Sequence, residues 1–301
     1  MKLSEAADLF FTSMATVKAD TTIDWYRKRI TPLADFFGVD QEIEVIDIFM
    51  LEKFRETLNR PSAAPGRSGK ITPYTVHGYI RAIRRFFAFC RKRRIITANP
   101  AEDLEKPRLP KQPRKGIAPE NAKRMIKACK VKPRDYAILL FARDTGCRAG
   151  GIYNLLGRNL DLKHNKAIIR EKGDKERVVF FTPETTFALV MYSAIRENPN
   201  QEDHFFLSEK TFKPLTYSGV YQIFRRAADK THIKTSYSPH QWRHAAARAW
   251  IQAGMNLKIV SQILGHESEQ VTGDIYGTSS EIELQTAYNN YSVKINPEFV
   301  N

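Results

Sequence analysis

The chain has 301 residues, 42% hydrophobic and 27% charged, which is enough for two domains with cores of their own. No apolar run approaches the ~18 residues of a membrane span, and three scattered cysteines without a CxxC pair argue against a disulfide or zinc framework. Its 48 basic residues against 33 acidic ones give a net charge of +15, and 13 basic against 3 acidic residues fall in residues 70–115 alone, so a polyanion, nucleic acid first, is the expected partner.

At the N-terminus, Glu5 comes too early for a signal peptide, and a reducing, cytoplasmic setting is expected. The first hundred residues read as helical. Ile23, Tyr26, Ile30, Leu33 and Phe37 recur at helical spacing between Thr22 and Gly38. Pro32 is expected to bend or split that helix. Val45, Ile48, Phe49, Phe54 and Leu58 mark a second one, and residues 60–71 form a loop by composition. Thr72 and Pro73 then open the clearest helix of this half. Val76, Tyr79, Ile80, Ile83, Phe86, Phe87 and Cys90 make its apolar face. Arg81, Arg84, Arg85, Arg91, Lys92, Arg93 and Arg94 decorate the rest. A helix with one packed side and one arginine side suits a DNA groove. Three prolines between Lys106 and Gly116 alternate with Arg108, Lys111, Arg114 and Lys115. This reads as a semi-rigid basic linker over 107–116, able to pass around a duplex so that two domains clamp it.

Further on, helices are expected near 119–130 and 133–145. Two short β-branched runs follow, Ala167–Ile169 and Val178–Phe181, and Glu171-Lys172-Gly173-Asp174-Lys175 between them reads as a hairpin turn. Helices return near 184–196, 217–230, 239–253 and 256–264, and 280–291 forms a short last one.

Six residues of this half stand out: Arg148 after Thr145-Gly146-Cys147, Lys172 in the hairpin, His240 and Arg243 in His240-Gln241-Trp242-Arg243-His244, His266 after Leu264-Gly265, and Tyr276. Ser238 and Pro239 are a helix start. His240, Arg243 and His244 therefore share one face of its opening turns, near free N–H groups that suit phosphate. Singly, each has a plainer reading. HxxRH is also an exposed basic turn, His266 also a helix-capping histidine, and Tyr276 one of twelve tyrosines. A zinc site on His240 and His244 lacks the glutamate of HExxH and any evident third ligand. Jointly, two arginines, a lysine, two histidines and a tyrosine are what breaks a phosphodiester without a metal: cations grip the phosphate, the phenol attacks, and the others move protons.

The order and context of these residues resemble the tyrosine recombinase (phage-type integrase) family. Thr145–Arg148 looks like its first conserved box, and Ser238–His244 with Leu264–His266 like its second. Glu171–Val178 resembles its β-hairpin with a catalytic lysine. Arg84-Arg85-Phe86-Phe87 and Asn99-Pro100-Ala101 resemble its core-binding domain; only the C-terminal tail matches loosely. The resemblance implies a mainly α fold with a small β-sheet: a helical core-binding (SAM-like) domain over 1–106, the linker over 107–116, an α+β catalytic domain over 117–278, and a tail over 279–301. In such proteins tail segments dock on a neighbouring protomer; the other reading is a tail folded back on its own domain.

The resemblance further implies a site-specific recombinase that cleaves and rejoins duplex DNA through a 3′-phosphotyrosyl link, with no metal, ATP or other cofactor. Four protomers would act on two sites, each a monomer when free. Arg148 and Arg243 would hold the non-bridging phosphate oxygens and Tyr276 would attack. His240 would accept or orient its proton, His266 would hold phosphate or tyrosine, and Lys172 would protonate the leaving 5′-oxygen. The basic helix, the linker and Lys175 would contact DNA. Two rivals are a type IB topoisomerase-like enzyme and a DNA-binding protein without catalysis. Two departures stand out. Gly151 occupies the position, three after Arg148, where the family usually has an acidic residue, and Tyr276 lies ten residues after His266 where many members have nine.

Overall fold

A computed structural model describes residues 1–58, 71–109, 116–171, 175–196, 203–235, 237–265 and 281–291. The chain divides into two compact units, Met1–Gln112 and Pro113–Asn301. No helix among the described residues is long and apolar enough to cross a membrane.

The first unit contains α1 (Leu3–Ala15), α2 (Asp20–Phe37), a 3-10 turn (Ile43–Val45), α3 (Ile48–Leu58) and α4 (Pro73–Lys92). Leu3, Ala6, Phe10 and Met14 line one face of α1 at helical spacing, and they share a core with Ile30 and Leu33 of α2 and Ile80, Ile83, Phe86 and Phe87 of α4. Phe10 meets Tyr26 and Phe86 edge-on, with ring centroids 5.3 and 5.5 Å away. The start of α4 follows its sequence signal: Thr72 Oγ1 accepts the Thr75 N–H at 3.3 Å and Pro73 takes the first turn.

Two expectations give way here. Pro32 does not split α2, which runs through it as one helix. The proline removes one N–H donor, but burial of Ile30, Leu33 and Ala34 holds the helix on both sides of it. Val45 and Phe49 are not core positions; they are 55% and 70% exposed. The chain makes a 3-10 turn at Val45, and α3 turns Leu51 and Phe54 inward instead. Of the loop expected at 60–71, residues 60–70 lie outside the described residues.

The second unit contains α5 (Pro119–Cys129), α6 (Pro133–Thr145), α7 (Ala149–Tyr153), β1 (Leu160–Asp161), β2 (Lys166–Glu171), β3 (Lys175–Phe180), α8 (Pro183–Ile195), α9 (Tyr217–Lys230), α10 (Pro239–Gln252), α11 (Leu257–Leu264) and α12 (Glu281–Tyr291). The unbroken apolar run Ala137–Ala142 makes α6 the buried centre, packed by α5, α8 and α10. At its C-terminal end the buried Asp144 accepts from the Thr182 N–H at 2.9 Å and the Thr185 hydroxyl at 2.6 Å, which joins α6 to the start of α8.

The antiparallel sheet has the order β1-β2-β3, with Ile169 opposite Arg177 and Glu171 opposite Lys175. β1 was not expected; two residues give no alternation to read. Glu171 and Lys175, expected in the hairpin turn, are strand residues, and 172–174 between them lie outside the described residues. Alternation turns Ala167, Ile169 and Glu171 to the buried face of β2. The last helix, α12, folds back on its own unit. Tyr288 is 2% exposed, its ring centroid 5.7 Å from Phe180 and 6.3 Å from Trp250.

Candidate active site

Gly146 ends α6 in the left-handed conformation (φ 54°, ψ 23°), its N–H donating to the Ala142 carbonyl at 3.1 Å. A Cβ there would lie 2.9 Å from Leu264 Cδ2 and 3.3 Å from Ala246 Cβ, so conformation and space both require glycine. The Thr145 hydroxyl steers the turn that follows. It donates to the Phe141 carbonyl at 2.6 Å and accepts the Cys147 N–H at 3.2 Å. Arg148 then stands at the N-cap of α7.

The second arginine comes from α10. The Ser238 N–H donates to Gln241 Oε1 at 2.8 Å, and Pro239 takes the first turn. Trp242 is buried with its ring edge-on to Phe224, centroids 5.4 Å apart. Arg243, 3% exposed, donates to the Gly146 carbonyl at 2.9 Å and the Leu264 carbonyl at 2.5 Å. Its guanidinium thus satisfies carbonyls left open at the C-terminal ends of α6 and α11. Burial, followed by the positive charges of Arg148 and Arg177, lowers its pKa to about 10, so it stays a cation at neutral pH.

Beside Arg148 lies Glu171, 8% exposed. Its Oε1 accepts the Arg148 backbone N–H at 2.6 Å, and its Oε2 accepts Arg148 Nη1 at 2.5 Å. Arg177 Nη2 reaches Oε1 at 3.4 Å, and Arg177 Nη1 donates to the Ile263 carbonyl at the end of α11. Burial pushes the Glu171 carboxyl up. Arg177, the Arg148 N–H, Arg243 and the Arg148 guanidinium outweigh it and hold the group below the usual carboxylate range. Burial and then Glu171 push the neighbouring Cys147 thiol up to about 12. Gly265 closes α11 at φ 65°, where a Cβ would meet Arg177 Cδ at 2.9 Å.

Arg148 and Arg177 therefore meet on one carboxylate of β2, while Arg243 holds the carbonyl of Gly146 in the turn that leads to Arg148. His240 is exposed on the first turn of α10, its ring 5.4 Å from that of His244. Lys172, His266 and Tyr276 lie outside the described residues, as do Lys111, Arg114 and Lys115. Glu171 and Gly265, which precede Lys172 and His266 in the chain, are both part of the cluster. Tyr288 is a core residue, and burial holds its hydroxyl well above the usual phenol range.

The basic helix of the first unit divides in two. Arg85, Lys92, Arg93, Arg94 and Arg108 are exposed. Arg84 turns to the chain instead, with Nε donating to the Ala101 carbonyl at 3.1 Å and Nη2 to the Glu102 carbonyl. Arg91 pairs with Glu102 at 2.9 Å, and Arg81 lies 4.7 Å over the Trp25 ring. Lys175 opens β3. Glu171 and Arg177 were not foreseen as functional residues. The available signal was the alternation Ala167, Ile169, Glu171, which sets a carboxylate on the buried face of a strand.

The profile of the Phage integrase family matches residues 115–282. A tyrosine recombinase XerC of Chlamydia caviae is 29% identical over 218 residues, 70% of each chain. The tyrosine recombinase XerC of Chlamydia trachomatis serovar L2 is 30% identical over 220 residues, 70% of this chain and 69% of that one. Among solved structures, a Tn1549 transposon integrase in complex with transposon right end DNA gives a TM-score of 0.72 at 16% identity, over 96% of this chain and 99% of that one. A lambda integrase dimer bound to a COC′ core site gives 0.71 at 14% identity, over 93% and 100%. This chain shares their fold, mainly α with one small sheet.

Proposed function

The chain belongs to the phage integrase family, and from that premise we propose that it is a site-specific DNA recombinase that cleaves and rejoins duplex DNA through a 3′-phosphotyrosyl intermediate. The observation that carries this reading is the coupling of the two arginines: Glu171 holds Arg148, and Arg243 holds the carbonyl of Gly146, two residues before it. Two cations from distant segments are fixed together, and the Arg148 side chain keeps 35% of its surface open. Glu171 takes one Nη of Arg148, and among the described residues the rest of the fork is open to a phosphate oxygen. Charge grows on the non-bridging oxygens as the phosphorus becomes five-coordinate, so arginines fixed in advance lower the barrier directly.

Tyr276 attacks the phosphate. A phenol of pKa about 10 needs a partner to lose its proton at neutral pH. His240, at the start of α10, accepts or orients that proton, and His266 holds the phosphate or the tyrosine. Lys172 protonates the departing 5′-oxygen. The phosphotyrosine keeps the energy of the broken bond, so the free 5′-hydroxyl rejoins without ATP. Residues 1–106 form the DNA-binding domain and 117–278 the catalytic one, joined by the basic segment 107–116. The protein acts in the cytoplasm, as a monomer when free and as four copies on two DNA sites. The exposed Arg85, Lys92, Arg93, Arg94 and Arg108, with Lys175, grip the backbone.

A suicide duplex tests this. DNA flanking the gene is nicked beside the scissile phosphate, so that the cleaved end diffuses away. Wild type is expected to give a protease-sensitive covalent band on a denaturing gel, and Tyr276→Phe none. A duplex bound tightly but never cleaved overturns the enzyme reading; a band from Tyr276→Phe overturns the choice of nucleophile.

A further inference from the structure

Gly151 sits on α7, three residues after Arg148. A Cβ at this position would lie 2.8 Å from Ile169 Cδ1, 3.2 Å from Cys147 Cβ and 3.3 Å from Glu171 Oε1. The space a side chain would need is already filled by β2, its carboxylate included. Gly151 has an ordinary helical backbone, so packing and not conformation favours the glycine here: a side chain would make Ile169 and Glu171 shift.

Glu171 meets Arg148 twice, at the backbone N–H and at the guanidinium, through its two separate oxygens. One contact fixes where α7 begins; the other fixes where the side chain points. An isolated buried carboxylate is costly. Here Arg148 and Arg177 pair with it, and the charge of Arg243 also favours its ionised form. We propose that Glu171 is the positioning residue for Arg148, and that Gly151 leaves it room, so that the carboxylate orienting the first phosphate-binding arginine enters from the hairpin strand and not from α7. The next residue in the chain is Lys172, the proposed acid. Glu171 therefore ties the strand that delivers the proton to the arginine that holds the phosphate. This inference rests on the reading of Arg148 as a phosphate ligand.

The test compares Glu171→Gln, Glu171→Gly, Gly151→Glu and the exchange variant Glu171→Gly/Gly151→Glu. Each is measured for binding to the flanking duplex, for cleavage of the suicide form, and for melting temperature. Glu171→Gln is expected to bind DNA as wild type does and to cleave about 10²-fold more slowly, since misplacement of a group by about 1 Å costs that much. Gly151→Glu alone sets two carboxylates and Ile169 against one another, and it lowers the melting temperature. The exchange variant is expected to cleave faster than Glu171→Gly. Wild-type cleavage by Glu171→Gln, or no recovery in the exchange variant, overturns the proposal.

If wild type itself cleaves nothing, the proposed function has failed instead. Glu171 is then tested without DNA by the melting temperatures of Arg148→Gln, Glu171→Gln and their double variant. Non-additive shifts are expected for residues in direct contact, and additive shifts overturn the positioning role.

Discussion

Arg243 donates to the carbonyl of Gly146 at 2.9 Å, so a residue buried in α10 holds the turn from which Arg148 emerges. The turn depends on Gly146 twice, through its positive φ and through the 2.9 Å approach of Leu264. Gly146→Ala adds left-handed strain to overpacking, and a loss of about 2–4 kcal/mol is expected in denaturant unfolding. Arg243→Lys cannot reach both carbonyls with one fork, and it is expected to lower the melting temperature as well as cleavage. An Arg243→Lys protein as stable as wild type would show that the two carbonyl contacts contribute little.

Glu171 gives stability a pH dependence of known sign. Its pKa is lower folded than unfolded, so its contribution is complete above the unfolded value of about 4.3 and is lost as pH falls through the folded value. The stability difference between wild type and Glu171→Gln is therefore expected to be largest near neutral pH and to shrink below about pH 4. Chemical unfolding of both proteins across pH checks this. A difference that stays constant down to low pH would mean the carboxylate charge is not what Arg148 and Arg177 stabilise.

Arg84 and Arg85 are adjacent on α4 and are expected to respond differently. Arg84 is committed to the carbonyls of Ala101 and Glu102, so Arg84→Ala should lower the melting temperature of the protein. Arg85 is exposed. Arg85→Ala should leave stability unchanged, weaken duplex binding, and reduce the slope of log affinity against log salt by about 1. Equal salt slopes for wild type and Arg85→Ala would remove Arg85 from the phosphate contacts.

Tyr288 has a buried hydroxyl with no hydrogen-bond partner among the described residues. Tyr288→Phe removes that hydroxyl at no cost in packing. Stability should be unchanged or higher by about 1 kcal/mol, and the covalent DNA adduct should persist. Loss of the adduct in Tyr288→Phe, with stability intact, would bring Tyr288 into the chemistry.

Much of this was legible because helix ends are written locally. Thr72-Pro73 and Ser238-Pro239 mark starts, each by the geometry of a few adjacent residues. The arginine pair was legible from its contexts. Glu171 was not, because Lys-Gly-Asp after it has the composition of a turn. What makes a buried carboxylate affordable is three arginines from other segments, and no local pattern carries that. Arg84 reads as a phosphate contact for the same reason: an arginine aimed at backbone carbonyls and one aimed at solvent look alike in a sequence. β1 is too short for a period, and at Pro32 tertiary burial overrode a local rule.

The fit of Gly151 against Glu171 also limits how this sequence can drift. A chain with the acid on α7 and one with the acid on β2 differ by two substitutions. Either order of making them passes through a protein with two facing carboxylates or with none. Both intermediates are handicapped, so descendants are expected to change the two positions together or leave both alone.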